Sequence, residues 1–327
     1  MSSVGVSIVI CTYNGVVRLE ETLSHLLKLD SQFPWELVLV DNASTDGTAQ
    51  WVSTWLKSQA IKVSFQIVVE NRPGLNNARV AGFQRCSFDY ILFCDDDNWL
   101  FPDFVELGAT ILSNNSRIGV LGSLGHPVFE DGEPEWFSQF SHSYAVGSLG
   151  KNSGKQDFGS YHYGAACFFR RAALKELLTR GFRSLLADRT GKSLSSGGDV
   201  ELGLAVQLLG YELHYDERLK FDHFIETHRL NWDYYLRLKR GISKSFPLLE
   251  SYKCHEFQEV TAFRSHLVSL FFISIKGLVK SFVWRLCLSS KSNEVAFATT
   301  QTKCVSFLRN YRKTLAAFVT NKQLFDA

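Results

Sequence analysis

The chain has 327 residues, a net charge of +2, and a composition that is 45% hydrophobic and 13% aromatic. These values exclude a disordered or low-complexity polymer and leave room for one large or two smaller domains with a real core. The charge is unevenly placed: 11 Lys/Arg and 4 Asp/Glu fall from Lys253 onward, so a tail of +7 follows a body of −5.

Met1-Ser2-Ser3 runs directly into Ser7 to Cys11, an apolar run read as a buried strand. No signal peptide is therefore expected, and the cytosol is the expected compartment. Leu19, Leu23, Leu26 and Leu27 recur at helical spacing, with Asn14 as the expected cap. Glu36 to Val40 is a second strand. A helix start follows at Ala43 to Thr48, with Asp46 the expected cap and Trp51, Val52 and Trp55 on one face. Val63 to Val69 reads as a third strand, a helix is expected from about Asn76 to Arg85, and Tyr90 to Cys94 is a fourth strand. Strands alternating with helices predict βαβ units and a mostly parallel sheet covered on both faces.

Pro102 opens a predicted helix through Leu112. From about Gly119 to Gly159 the chain reads as irregular, and Trp136, Phe137, Phe140 and Tyr144 suggest a substrate-binding surface there. Tyr163 to Phe169 reads as a strand and Arg171 to Thr179 as a helix. Gly197-Gly198-Asp199 leads into another helix. Tyr211 to Tyr215 and Leu219 to Phe221 read as short strands ending at Asp222-His223. The seven cysteines are scattered without a C-x-x-C pair, which argues against a zinc site and fits a reducing compartment.

Asp95-Asp96-Asp97 closes the fourth strand and concentrates carboxylates where open α/β sheets form their ligand crevice. Ionised groups leave water only when paired, hydrogen-bonded or bound to metal, and these hard oxygens suit Mg²⁺ or Mn²⁺ carrying a diphosphate. The loop Cys11 to Gly15 contains neither G-x-G-x-x-G nor G-x-x-x-x-G-K-[ST]. Its aromatic face and short polar groups suit a base and ribose. Asp41 can accept a hydrogen bond from a base N–H. In the loop Asn71 to Arg79, Arg72 or Arg79 can reach a phosphate or base. Asp199 reads as either a helix cap or a general base.

Taken together, these residues resemble the glycosyltransferase family 2 enzymes of the GT-A fold. The resemblance covers residues 4 to about 225 and rests on six motifs: 6–14, 41–48, 71–79, 93–98, Gly-Gly-Asp-Val-Glu-Leu at 197–202 and Asp-His at 222–223. Cys11 departs from the usual proline and Asn42 from a common second aspartate. The resemblance implies nucleotide binding by Thr12, Tyr13, Asn14, Asp41, Asn71, Arg79, Asp95 and Asp96. It implies a divalent metal, Mn²⁺ or Mg²⁺, on Asp95, Asp97 and His223, with His228 and Arg229 on a loop closing over the diphosphate. Asp199 becomes the expected base, and Trp136, Tyr163, Gly198 and Glu201 are expected around the donor or acceptor sugar. The implied activity is inverting, metal-assisted transfer from a UDP-sugar to a saccharide or lipid-linked acceptor, in polysaccharide assembly. A sugar nucleotidyltransferase and a non-catalytic carbohydrate-binding module of the same fold are the alternatives.

Residues 1–252 are expected to form the catalytic domain, with a nucleotide-sugar half to about 115 and an acceptor half from 116. Residues 253–327 are expected to form a helical extension. Val260 to Leu288 is strongly apolar, but Lys276, Lys280 and Arg285 interrupt it, so a bilayer-crossing segment is not expected. Two readings stand for this tail: helices lying on a membrane surface through residues 260–320, or helices packed on the catalytic domain or a second subunit. Nucleic acid is not an expected partner.

Overall fold

Four apolar runs build one half of the sheet: β1 (Ser3–Thr12), β2 (Trp35–Asp41), β3 (Ser64–Val69) and β4 (Phe88–Asp95). They pair in parallel in the order β3-β2-β1-β4. The crossovers are α1 (Val16–Leu26), α2 (Thr48–Ser58) and α3 (Leu75–Phe83). The structure is a computed structural model and describes residues 3–59, 63–148, 152–186, 188–189, 194–288 and 290–326. Alternate side chains feed two cores. Ile8, Ile10, Leu39 and Leu92 face one side, while Val9, Val38, Val40 and Ile91 face the other. Each such fully buried aliphatic side chain contributes roughly 1.5–3 kcal/mol. The register sets Thr12 beside Asp41 and Cys11 beside Asp95, so the strand ends form one functional edge.

Two expected caps are corrected. Gly15 caps α1, and Asn14 adopts a left-handed φ of 51° with Oδ1 accepting the Thr45 N–H at 2.8 Å. Gly47 caps α2. Asp46, one residue earlier, accepts the N–H groups of Thr48 at 3.0 Å and Val16 at 3.3 Å, which ties the two loops together.

Beyond β4 the sheet mixes directions. β5 (Asn98–Leu100), β6 (Ile118–Phe129), β7 (Gly154–Lys155), β8 (Cys167–Arg170) and β9 (Glu212–Ile225) complete a nine-stranded sheet, ordered β4-β8-β6-β9-β5 with β7 on β9. The irregular stretch expected from Gly119 is therefore corrected, because its first part is the long strand β6. Its glycines obscure the alternation, and two of them, Gly119 and Gly125, are there for close packing. A Cβ at Gly125 would meet Ala145 O at 2.5 Å and the Phe221 ring at 2.7 Å. The two short strands expected before Asp222-His223 are one continuous β9.

The remaining helices are α4 (Phe104–Asn114), α5 (Phe137–Phe140), α6 (Arg171–Thr179), α7 (Gly198–Leu208), α8 (Trp232–Lys253), α9 (Val260–Cys287) and α10 (Lys291–Phe325). Helix α10 is fastened to the body: Ser306 Oγ donates to Lys244 O at 2.6 Å and Lys313 Nζ to Leu185 O at 2.8 Å. Helix α9 packs on α10, with Phe263 stacked on Phe318 at 4.2 Å between centroids. Glu250 Oε2, within 3.3 Å of His266 Nε2, joins α8 to α9.

Candidate active site

A cleft of about 580 Å³ opens along the functional edge. Asp95, Asp97, His223 and Arg229 line it, as do Arg79, Asp188 and Asp199, with Tyr13, Tyr161 and Tyr163 also on its wall. Its acidic corner is set by strand register. β5 pairs with β9 so that Asn98 lies opposite His223, which brings the imidazole to the residue before Asn98. His223 Nε2 stands 3.3 Å from Asp97 Oδ2. Its Nδ1 lies 2.6 Å from the carbonyl of Tyr144 and must donate there, because a carbonyl oxygen only accepts. In neutral histidine the Nε2 lone pair then faces a carboxylate oxygen, an arrangement that calls for a cation or proton between them. That donor set, one imidazole nitrogen with buried carboxylate oxygens, fits a divalent metal.

Electrostatics separates the carboxylates of the triplet. Burial opposes the charge on Asp97, but His223 and Arg229 outweigh it and hold the group well below the usual carboxylate range. Arg229 NH1 donates to Asp97 Oδ2 at 2.6 Å, while its buried Nε–H has no partner among the described residues. Burial, reinforced by Asp97, pushes Asp95 up to about 6. Asp96 also lines the cleft, but its carboxylate is already engaged. It accepts from Thr12 Oγ1 at 2.6 Å and pairs with Arg18 at 2.9 Å. Asp96 thus clamps the end of β4 to α1, and the hydroxyl of Thr12 is engaged in the same clamp, with both residues on the cleft wall.

Asp199 is the second residue of α7, behind the cap Gly197, so it is not the helix cap. Its Oδ2 accepts the Gly164 N–H at 2.8 Å and its Oδ1 the Val200 N–H at 2.9 Å. Beneath it lies an ion pair, Arg79 NH1 to Asp188 Oδ2 at 3.0 Å, with both side chains at most 10% exposed. Burial works against the Arg79 charge, and Asp188, Asp199 and Asp95 more than offset that cost. Arg79 is therefore a fixed internal cation between the triplet and Asp199. Asp188 was not singled out from sequence, because its partner lies 109 residues away.

Tyr13 is 47% exposed at the cleft wall, beside Asn42 and Ala43. Asp41 is 6% exposed, accepts the Ser44 N–H at 3.1 Å and is not itself a lining residue. Asn42 proves structural: its Nδ2 donates to Glu70 O and Arg72 O, and its Oδ1 accepts the Gly74 N–H. Cys11, at the proline position, lines the cleft as a neutral thiol, pushed by burial up to about 12.

Several residues expected at the site lie outside the cleft or are engaged elsewhere. Asn71 is exposed and outside the cleft lining. Arg72 is turned to Glu70 at 3.0 Å. Trp136 packs edge-on against Trp232 in an aromatic cluster with Tyr235, so it is unavailable for a sugar in the cleft. Phe137 is buried in the same cluster. Glu201 is fully buried and accepts from Leu185 N and Tyr252 Oη at 2.7 Å, and from Ser184 and Leu186. It fastens the segment leading to Asp188 instead of orienting an acceptor. Gly198 is needed for space: a Cβ there would meet Asp188 Oδ2 at 2.6 Å. Tyr163 does line the cleft, its hydroxyl held by His142 Nδ1 at 3.2 Å and Val146 O at 3.3 Å.

The sequence profile of the family described as "Glycosyl transferase family 2" matches residues 7–178. The dolichol-phosphate mannosyltransferase of Pyrococcus furiosus is 30% identical over 118 residues, which are 35% of this chain and 32% of that protein. This chain therefore matches only a part of that longer relative. The mannosyltransferase PcManGT from Pyrobaculum calidifontis, solved with GDP-Man and Mn²⁺, superposes with a TM-score of 0.56 at 15% identity, over 98% of this chain and 87% of that one. S. aureus TarS 1-349, solved with UDP-GlcNAc, superposes with a TM-score of 0.50 at 14% identity, over 94% and 92%. At these identities the superpositions establish a shared fold.

Proposed function

The chain belongs to glycosyl transferase family 2, and from that membership we propose that it moves a sugar from a nucleotide-sugar donor to a hydroxyl of a saccharide or lipid-linked acceptor. The donor is a UDP-sugar and the anomeric configuration inverts. One observation carries this reading: Asp97 with His223, and Asp199 with its two N–H donors, face the same cleft.

In this reading Asp199 takes the proton from the acceptor hydroxyl as that oxygen attacks the anomeric carbon. General-base help of this kind is worth roughly 10²–10⁴-fold. Asp95, Asp97 and His223 would hold a divalent ion, which when bound would supply positive charge beside the departing nucleoside diphosphate. Arg229 buries its charge in the same corner and keeps Asp97 ionised and oriented. Tyr13 offers an exposed ring to the base, and Tyr163, largely buried and pinned through its hydroxyl, forms a fixed part of the cleft wall.

The choice of UDP rests on the family resemblance at Asp41, which ends β2 one residue before the cleft-lining Asn42, and on the fold shared with TarS, which was solved with UDP-GlcNAc. Residues 1–252 form the catalytic domain in this reading, split near 115 into nucleotide-sugar and acceptor halves, and 253–327 the extension. Polysaccharide assembly from the cytoplasmic side of a membrane is the setting.

The test is a panel of UDP- and GDP-sugars with Mn²⁺ or Mg²⁺, scored for nucleoside diphosphate release with and without membrane extract. Acceptor-dependent UDP release from one sugar is expected. Pyrophosphate release from a nucleoside triphosphate, or UDP binding without any transfer, would overturn the reading.

A further inference from the structure

Helix α9 is packed on one side only. Phe263, Leu267 and Ser281 are buried on the side packed against α10. On the opposite side Val268, Phe272, Val279, Val283 and Leu286 recur at helical spacing and are 41–72% exposed, with Phe282 and Trp284 exposed beside them. The same helix carries Arg264, Lys276, Lys280 and Arg285, all exposed, and no acidic residue. Lys280 Nζ lies 4.4 Å from the Trp284 ring centroid, so this lysine stays against the apolar surface instead of extending away from it.

Three occupants compete for this face. A second copy of the chain would bring Lys276 and Lys280 against like charges, which repulsion disfavours, whereas Arg285 lies over the Phe297 ring of α10 at 5.1 Å. A membrane crossing is allowed by length and apolarity, since α9 has 28 residues and few charges. It would, however, place Lys276 and Lys280 in hydrocarbon, and it would pull α9 off α10, whose own bonds hold it to the body. An anionic lipid surface satisfies both chemistries: the apolar stripe enters the acyl boundary while Lys276 and Lys280 meet headgroups.

We propose that α9 docks this protein flat on an anionic bilayer through Phe272, Val279, Val283 and Leu286, with Lys276 and Lys280 on headgroup phosphates. The inference is independent of the sugar transferred and of any role for Asp199.

The test is flotation of the full chain with vesicles of phosphatidylglycerol and phosphatidylcholine, against phosphatidylcholine alone. Binding to the anionic vesicles only is expected, weakening as salt rises. The pair Lys276→Glu and Lys280→Glu should reduce binding roughly tenfold or more, and the pair Phe272→Ser and Val283→Ser should abolish it. Both variants should keep the wild-type melting curve and the wild-type rate with soluble substrates. The proposal is overturned by equal binding to both vesicle types or by binding indifferent to either variant. It is also overturned by a dimer in sedimentation that Phe272→Ser dissolves, or by membrane retention that resists alkaline extraction.

Discussion

The backbone N–H of Gly164 donates a 2.8 Å hydrogen bond to the carboxylate of Asp199. Gly164 precedes β8 and Asp199 begins α7, so one bond joins the sheet edge to the helix that carries the proposed base. A Cβ at Gly164 would stand 2.6 Å from Asp199 Cβ and 2.7 Å from its Oδ2, too close for either to remain.

Gly164→Ala should therefore act on the chemistry more than on the fold. We expect kcat to fall about 10²-fold, because small displacements of a reacting group cost that much. The loss of stability should be about 1–3 kcal/mol. Steady-state kinetics and thermal melts of the purified variant measure both, and a variant with wild-type kcat would show that Asp199 need not sit where Gly164 holds it.

The cation corner yields a paired prediction. His223→Gln leaves the Arg229–Asp97 pair intact, so it should weaken Mn²⁺ binding about tenfold or more at a stability cost of only about 1 kcal/mol, from the altered hydrogen bond to Tyr144 O. Asp97→Asn removes the carboxylate that Arg229 contacts at 2.6 Å. It should weaken Mn²⁺ binding too and also destabilise the fold by about 3 kcal/mol, because a buried arginine loses its counter-charge. Isothermal titration with Mn²⁺ and denaturant melts separate the two effects. Dialysis against a chelator should remove turnover, and Mn²⁺ should restore it.

The sequence disclosed the parallel half of the sheet because each strand there is an uninterrupted apolar run followed by a helical stripe. It disclosed the triplet because three carboxylates closing an apolar strand are rare, and Asp199 only through the family resemblance, since an aspartate at a helix start is common. It did not disclose β6, where Gly119, Gly122 and Gly125 replace the expected alternation. Nor did it reveal that Trp136 belongs to a packed cluster, since an aromatic residue reads alike whether it stacks on a sugar or on Trp232. The Arg79–Asp188 pair and the Glu201 network stayed hidden for another reason: their partners come together only through tertiary folding.

Glu201 carries a pH prediction. Burial outweighs its hydrogen bonds and raises its folded pKa above the ordinary value of 4.5. The folded chain then holds this proton at a higher pH than the unfolded chain. Its contribution to stability is full below about 4.5 and is lost as pH rises through the folded value. Glu201→Gln cannot titrate, so this part of the pH slope should vanish. The variant should also be less stable by about 1–3 kcal/mol at low pH, because an amide nitrogen meets the donors of Ser184 and Leu186 or of Leu185 and Tyr252. Denaturant unfolding of both proteins across the acidic range checks the sign.

The most direct measurement is single-turnover release of nucleoside diphosphate by the wild type and by Asp199→Asn, each saturated with Mn²⁺, donor and acceptor. The account predicts equal donor affinity and a rate at least about 10²-fold slower in the variant. Equal rates in the two proteins would contradict it.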